Sequence, residues 1–270
     1  GAAGLFAAWR LAKSGFSDFV LVEGPEFAGN CASGAMGTLA YPRGAHYLPL
    51  PSLESTHIRE LLFDMGVIED EPYSEKPTFD ERVLIHAPEE RLLINGRWQD
   101  GVVPQQGIAA FELAEQQRFF KYIATLKHQT GRDGRRLFCV PTALSSQDPQ
   151  WRALDQITFA AWLAQNGYRA PSLLWYLDYA CRDDYGINLA QTSAWAGLHY
   201  FACRGGQTEH NENAHEGVVL TWPDGLNPLI RHMHGSYHPS QNLRGFATRV
   251  TNNGKNVSVD VFDAQSKVAT

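Results

Sequence analysis

The sequence predicts an α/β fold, and two observations near its start carry the prediction. Gly1 and Gly4 precede residues 5–12, whose small apolar face suits a helix that packs closely on a sheet. Residues 18–23 (DFVLVE) then predict a short buried strand that ends in a carboxylate. A glycine-rich start, a helix and an acidic strand end, in this order, are typical of a dinucleotide-binding βαβ unit, here without its first strand.

Each part of this unit has a physical role in binding a dinucleotide. Gly1 lets the backbone approach a pyrophosphate, and Gly4 lets the helix pack tightly on the strand. The N–H groups of the first helical turn, including that of Ala3, can hold the phosphate charge. Glu23 can accept hydrogen bonds from ribose hydroxyls and would repel a 2′-phosphate. The alternative is an ordinary helix–strand unit with a glycine-rich start.

Bulk composition limits the class of protein. A length of 270 residues predicts about two domains. Apolar residues make up 44% and charged residues 19%, as in a globular protein with a core. A formal net charge of -6 and the lack of a basic run argue against a general nucleic-acid binder, so no nucleic-acid partner is expected. No apolar stretch reaches about 18 residues, so no membrane span is predicted.

Cysteine and histidine spacing predicts no metal site. Four widely spaced cysteines contain no C-x-x-C pair and are expected to be free thiols; they are Cys31, Cys139, Cys181 and Cys203. His232, His234 and His238 have a spacing that could bind a metal, but no thiol or carboxylate lies within that run. We therefore expect none of these residues to bind a metal.

The segment after Glu23, residues 24–52, is rich in glycine, serine, alanine and proline and has little periodicity. It predicts a loop or tight turns. A long loop directly after a nucleotide-binding strand is more often functional than a plain connection. Its small residues, among them Gly29, Ser33 and Gly44, would allow the backbone to approach a ligand closely.

This segment resembles the start of the flavin-containing amine oxidase superfamily, which includes monoamine oxidases, protoporphyrinogen oxidases and phytoene desaturases. Members follow the acidic residue with a G-G-R-x-x-[ST] loop and then a segment that ends in Gly-[Ala/Gly]. Here Gly29 and Ser33 match the loop, and residues 41–46 (YPRGAH) fill the second segment. The resemblance implies a Rossmann-like FAD-binding domain. In it the first loop follows the FAD pyrophosphate and ribose, and Gly44, Ala45 and His46 approach the flavin.

Two positions depart from the pattern of that superfamily. Ala28 stands where the first glycine is usual, and Asn30 stands where the arginine is usual. The missing guanidinium removes a charge partner for the pyrophosphate, and Arg43 is the candidate to replace it. His46 is expected either to donate a hydrogen bond or handle a proton near the flavin, or to be a loop histidine satisfied by backbone carbonyls. The catalytic residues are otherwise unknown.

The middle of the chain is predicted to be mostly helical with a small antiparallel sheet. Asn95-Gly96 between apolar runs is a strong hairpin signal. Arg182 to Tyr185 are expected to form a charged turn after a helix. Apolar periodicity predicts helices over residues 53–66, 108–128, 154–166, 172–181 and 192–202.

The last part of the chain is predicted to contain a strand over residues 218–222, a helix over 227–234 and a hairpin across Asn252-Asn253-Gly254. In the resembling superfamily the chain returns to the FAD domain here, and a strand backbone touches the adenine. The resemblance therefore adds Ala247 to the cofactor-binding residues. It also implies three segments. These are the first part of the FAD-binding domain over 1–52, a mostly helical α+β substrate-domain insertion over 53–216, and the return to the FAD-binding domain over 217–270. Compared with that superfamily, the sequence reads as a fragment truncated at both ends.

The resemblance implies an FAD-dependent oxidoreductase. Such an enzyme would oxidise a small organic substrate, amine-like or other, by hydride-type transfer to flavin N5, and oxygen or another acceptor would reoxidise the cofactor. One alternative is an NAD-dependent dehydrogenase with the same fold, which the glycine-rich loop after Glu23 disfavours. A second alternative is a non-catalytic FAD-binding protein, which stays possible because Asn30 replaces the usual arginine. A third is a helical interaction protein that binds no nucleotide. Cytoplasm and periplasm both stay open as compartments.

Overall fold

A computed structural model describes residues 1–86, 90–204, 218–263 and 268–269. Its α-helices are α1 Ala2–Lys13, α2 Thr56–Asp64, α3 Ala110–Lys127, α4 Pro149–Arg152, α5 Phe159–Gln165, α6 Pro171–Tyr185, α7 Ala194–Ala202 and α8 Asn227–His234. Its strands are β1 Leu21–Val22, β2 Ser33–Met36, β3 Leu39–Pro42, β4 Tyr47–Pro49, β5 Leu84–Ile85, β6 Arg91–Ile94, β7 Arg97–Asp100, β8 Val219–Thr221, β9 Asn242–Leu243, β10 Phe246–Asn252, β11 Val257–Asp263 and β12 Val268–Ala269.

The chain divides into two compact units. Gly1–Leu48 and Leu220–Thr270 form one, called here the terminal unit, and Pro49–Val219 form the other, called the central unit. The predicted segment boundary at residues 216 and 217 lies outside the described residues. Within the described ranges, no helix combines the length and the apolar character needed to cross a membrane.

The terminal unit is organised around α1 and β1. Leu5, Ala8 and Trp9 form the buried face of α1. Leu5 and Ala8 belong to the apolar face that the periodicity predicted, whereas Leu11, also expected on it, is 36% exposed. β1 pairs in parallel with β9, so residues close to the two ends of the chain share one small sheet. The prediction of a buried strand over residues 18–23 was wrong in length and burial. β1 is two residues long and half-buried, and Val20 is 64% exposed, because β9 is its one paired neighbour among the described residues.

The prediction of a loop or tight turns over residues 24–52 was wrong for residues 33–42 and 47–49, where strands form. β2 and β3 form an antiparallel hairpin, and Gly37 turns it with φ +63°. A Cβ on Gly34 would lie 2.6 Å from the Tyr41 ring, so the missing side chain makes room for the cross-strand aromatic. The residues next to the turn are exposed in both strands. The sequence of this hairpin therefore shows no alternation of apolar and polar residues from which strands could be predicted.

The last part of the terminal unit follows the prediction. α8 covers the residues expected for it and buries Leu229, Ile230 and Met233. β10 and β11 form the expected antiparallel hairpin, with a register shift between Ala247 and Arg249. β9 was not predicted, since a two-residue strand carries no periodic signal.

The central unit has one main hydrophobic core around Phe119 of α3. Its fully buried neighbours include Phe159 of α5, Leu177 of α6 and Leu198 of α7. The Asn95-Gly96 hairpin between β6 and β7 is confirmed, and both turn residues have positive φ, +51° and +74°.

Two helix predictions in the central unit need correction. The charged turn at Arg182 to Tyr185 is wrong, because α6 continues through these residues to Gly186 at φ +68°. Arg182 pairs with Asp178 one turn earlier at 2.9 Å, which favours the added turn. The single helix over 154–166 is interrupted, and α5 starts after Thr158, whose hydroxyl accepts the Ala161 N–H.

A buried histidine gives the central unit a pH-dependent contribution to stability. The His199 side chain lies in the core and its Nε2–H donates to the Cys139 carbonyl at 2.9 Å. Burial lowers the pKa of His199 below its ordinary value of 6.5. The folded state therefore binds this proton less readily than the unfolded state. The contribution is present above pH 6.5 and is lost as the pH falls through the folded pKa.

We expect the free energy of unfolding to decrease on acidification from pH about 7 to about 5, and the His199→Gln variant to lose part of that decrease. Denaturant unfolding of both proteins at several pH values measures it. Because carboxylates titrate equally in both proteins, the difference between the two pH profiles isolates His199. Identical profiles would contradict the assignment.

Candidate functional site

The N-terminus of α1 is approached closely by backbone. Gly1 is its N-cap residue, and no side chain caps the first turn, where Ala3 and Gly4 are exposed. A Cβ on Gly29, which has φ +56°, would lie 3.4 Å from the Gly1 Cα. A Cβ on Gly4 would lie 3.2 Å from the Leu21 side chain, so this glycine lets α1 pack on β1. The N–H groups at this helix end are therefore available to an anion bordered by glycine backbone.

Glu23 follows directly after β1, at its carboxyl end. The Glu23 N–H donates to the Leu243 carbonyl at 3.1 Å, and the Gly24 N–H donates to the Gly245 carbonyl at 2.7 Å. The pairing therefore extends past the two strands. Burial raises the pKa of the Tyr237 hydroxyl, and the negative charge of Glu23 adds to that increase.

Two segments expected to bind the cofactor are joined by backbone hydrogen bonds. The Asn30 carbonyl accepts the Ala45 N–H at 2.7 Å, and the Ala32 carbonyl accepts the Arg43 N–H at 2.9 Å. A Cβ on Gly44 would lie 2.3 Å from the Asn30 carbonyl oxygen, closer than any side chain can come. Gly44 thus allows the two segments to pair.

The two charged or titratable candidates in this region have protein partners. Arg43 forms an ion pair with Glu26, and both side chains are about half exposed. The Arg43 charge is thus shared with a carboxylate. His46 Nδ1 lies 3.3 Å from the Gly44 carbonyl oxygen, and its ring packs edge-on against Tyr47 at 5.0 Å. This arrangement matches the alternative of a loop histidine held by a backbone carbonyl.

Residues 224–227 support the same region, and their contacts were not predicted. Gly225 has φ +65°, and a Cβ there would lie 2.8 Å from the Ala45 carbonyl oxygen. The Leu226 N–H donates to that carbonyl at 3.3 Å. Asn227 Nδ2 donates to Ser33 Oγ at 2.8 Å. These pairs join positions at least 180 residues apart in sequence, so local pattern could not reveal them.

Ala247 lies in β10, opposite Val261, and is exposed at the register shift. β10 begins three residues after β9, the partner of β1. Ala247 therefore comes shortly after β9, the strand that pairs with β1 next to Glu23.

No group of three or more potential metal ligands comes together among the described residues. The four cysteines are free, as expected, and three of them are buried. Burial raises the pKa of the Cys31 thiol, which disfavours the reactive thiolate.

The donor set fits the nucleotide part of a dinucleotide. N–H groups at the start of α1 and the Gly29 backbone suit pyrophosphate oxygens. Glu23 at the strand end suits ribose hydroxyls. The chemistry of these groups matches phosphate and ribose without requiring a metal.

Comparisons with known proteins agree with this geometry. Residues 1–64 match the family model of the NAD(P)-binding Rossmann-like domain. The structure is similar to that of a triple mutant of putrescine oxidase, with a TM-score of 0.64 at 16% identity, covering 97% of this chain and 52% of the oxidase. The chain shares its fold with this oxidase. The Rossmann-like α/β class and the resemblance are thereby confirmed at the level of fold.

Other solved structures share this fold. Cyclohexylamine oxidase from Brevibacterium oxydans IH-35A matches with a TM-score of 0.62 at 17% identity, covering all of this chain and 54% of the oxidase. A CLA-producing fatty acid isomerase from P. acnes matches at 0.57 and 21% identity, with 97% and 53% covered. The chain thus spans about half the length of these proteins. A search of curated protein sequences gave no match.

Proposed function

We propose that this chain is the FAD-binding part of a flavin-dependent oxidoreductase. The observation that supports the proposal is the α1 N-terminus, open to an anion and bordered by Gly1 and Gly29, with Glu23 at the end of the adjoining strand. In this proposal the α1 N–H groups bind the pyrophosphate, and Glu23 accepts hydrogen bonds from the adenosine ribose.

Gly44, Ala45 and His46 are the residues proposed to border the flavin. Their backbone is fixed by the Asn30 carbonyl on one side and by Leu226 on the other, which supports a rigid wall. FAD, when bound, supplies hydride-type acceptance at N5, and the protein contributes binding, orientation and exclusion of water. Ala247 is proposed to contact the adenine through its backbone.

The proposed substrate is a small amine, since two of the matching structures are oxidases named for putrescine and cyclohexylamine. A fatty acid isomerase has the same fold, so the fold alone leaves other small organic substrates open. Oxygen or another acceptor would reoxidise the cofactor.

An NAD(P)-dependent function is the second candidate, because the family model that matches residues 1–64 is described as NAD(P)-binding. Glu23 disfavours NADP, since its carboxylate would repel a 2′-phosphate. The paired segments around Asn30 and Ala45 favour FAD. NAD contains no flavin, so a protein that binds NAD does not need a polypeptide segment that extends towards a flavin ring.

Anaerobic reduction tests the oxidoreductase proposal. The purified chain is loaded with FAD, freed of excess cofactor, and mixed with putrescine, cyclohexylamine or a fatty acid while its visible spectrum is recorded. We expect at least one amine to bleach the flavin absorbance, with free FAD as the control. Bound FAD that no substrate reduces would instead favour a non-catalytic role for the cofactor.

A further inference from the structure

Four polar side chains form a continuous hydrogen-bonded chain that ends at Ser33. Arg231 of α8 pairs with Asp224 Oδ2 at 2.6 Å. Asn227 Nδ2 lies 3.1 Å from the same carboxylate oxygen and 2.8 Å from Ser33 Oγ. This series of hydrogen bonds connects the first turn of α8 to the segment that follows Gly29.

The Asp224 carboxylate fixes the orientation of the Asn227 amide. An ionised carboxylate only accepts hydrogen bonds, so the amide nitrogen and not its oxygen must face Asp224. Partial burial alone would raise the pKa of Asp224, but hydrogen bonds from Arg231 and Asn227 lower it below its ordinary value. Asp224, whose side chain is 13% exposed, therefore stays ionised near neutral pH.

This orientation determines what the Ser33 hydroxyl can do. One N–H of Asn227 goes to Asp224, and the other donates to Ser33 Oγ. A hydroxyl has one hydrogen, which must then point away from Asn227. In the described part of the chain, no acceptor takes that hydrogen from Ser33.

We propose that Asn227 is a positioning residue that holds the Ser33 hydroxyl as a hydrogen-bond donor to a phosphate oxygen of the bound dinucleotide. The inference rests on the proposed FAD-binding function. It extends the site to Asn227 and Asp224, which contact the cofactor only through Ser33.

A purely structural role for Asn227 predicts a different behaviour. A contact that only ties α8 to the Ser33 segment would lower the stability of the fold, and its loss would affect FAD binding whether or not Ser33 has a hydroxyl. A positioning role makes the effect of Asn227 on affinity depend on that hydroxyl. A double-mutant cycle separates the two.

The cycle compares FAD dissociation constants of the wild type, Ser33→Ala, Asn227→Ala and the double variant near neutral pH. We expect Ser33→Ala to weaken binding about tenfold and Asn227→Ala about three- to tenfold. In the Ser33→Ala background, Asn227→Ala should change affinity by less than about twofold. Asn253→Ala is the matched control, because Asn253 Nδ2 also donates to a serine hydroxyl, that of Ser258, in the β10–β11 hairpin.

Asn227→Leu provides a second variant in case Asn227→Ala fails to fold. A leucine fills a similar volume, favours a helix and leaves Asp224 paired with Arg231, so the Tm should change little. It cannot donate to Ser33, so the serine hydrogen is no longer directed to the cofactor and FAD affinity should fall about as much as in Asn227→Ala. Asn227→Leu with wild-type affinity would overturn the inference.

The outcomes separate the inference from the function on which it rests. Equal effects of Asn227→Ala in both backgrounds, with a wild type that binds FAD, overturn the positioning role and leave the proposed function intact. A folded wild type that binds no FAD overturns both.

Discussion

Replacing Gly44 by alanine is expected to weaken FAD binding by about tenfold to hundredfold and to lower the free energy of unfolding by about 1–3 kcal/mol. The added Cβ would lie 2.3 Å from the Asn30 carbonyl oxygen, and this neighbour is backbone that cannot rotate away. Relief of the clash must break the hydrogen bond between the Ala45 N–H and that carbonyl. The two segments proposed to follow the cofactor would then separate.

Gly235→Ala is the matched control for Gly44→Ala. Gly235 ends α8 at φ -75°, and a Cβ there meets its nearest atoms at 3.5 Å, an ordinary contact. FAD titration and thermal unfolding of both variants measure the comparison. Gly44→Ala with the affinity and Tm of Gly235→Ala would show that the close approach of the two segments is unnecessary.

Replacing Glu23 by glutamine is expected to weaken FAD binding about tenfold to hundredfold with little change in Tm. Hydrogen bonds to a charged group contribute about 1.5–3 kcal/mol, and the variant removes the charge while keeping the shape. The backbone pairing of Glu23 with Leu243 does not involve the side chain, so β1 should be preserved.

Asp18→Asn removes one charge from an exposed position shortly before β1 and serves as the control for Glu23→Gln. It should leave FAD affinity within about twofold, since exposed charges away from a ligand contribute little. Isothermal titration with FAD gives both dissociation constants. Equal constants for Glu23→Gln and wild type would exclude Glu23 from the ribose site.

The sequence predicted the parts of the fold that have a strong local signal. α1 was recognisable because its apolar residues recur with helical spacing, and the β6–β7 hairpin because Asn95-Gly96 supplies two residues that tolerate positive φ. The same local signals gave α8. Resemblance to a superfamily then supplied the Rossmann-like class, which the comparison of folds confirmed.

The remaining parts depend on tertiary contacts that local pattern does not encode. The β2–β3 hairpin exposes its outer side chains, so its sequence shows no alternation. α6 passes through Arg182 to Tyr185, where Arg182 pairs with Asp178 one turn earlier and the Tyr185 hydroxyl donates to the Ala196 carbonyl of α7 at 2.9 Å.

The candidate site shows the same limit. Glu23, Gly29 and Gly44 could be proposed from sequence because glycine and an acidic strand end have recognisable roles. Asn227 could not, since its role comes from a hydrogen bond to Ser33, 194 positions away. The Arg43–Glu26 ion pair likewise became visible only in the folded chain.

The most direct test of the central claim is a parallel titration of the purified wild-type chain with FAD and with NAD⁺. The helix N-terminus, Glu23 and the paired segments around Asn30 and Ala45 predict saturable binding of one FAD per chain and much weaker binding of NAD⁺. Binding of NAD⁺ in preference to FAD, or of neither dinucleotide by the folded chain, would contradict the assignment of this site to FAD.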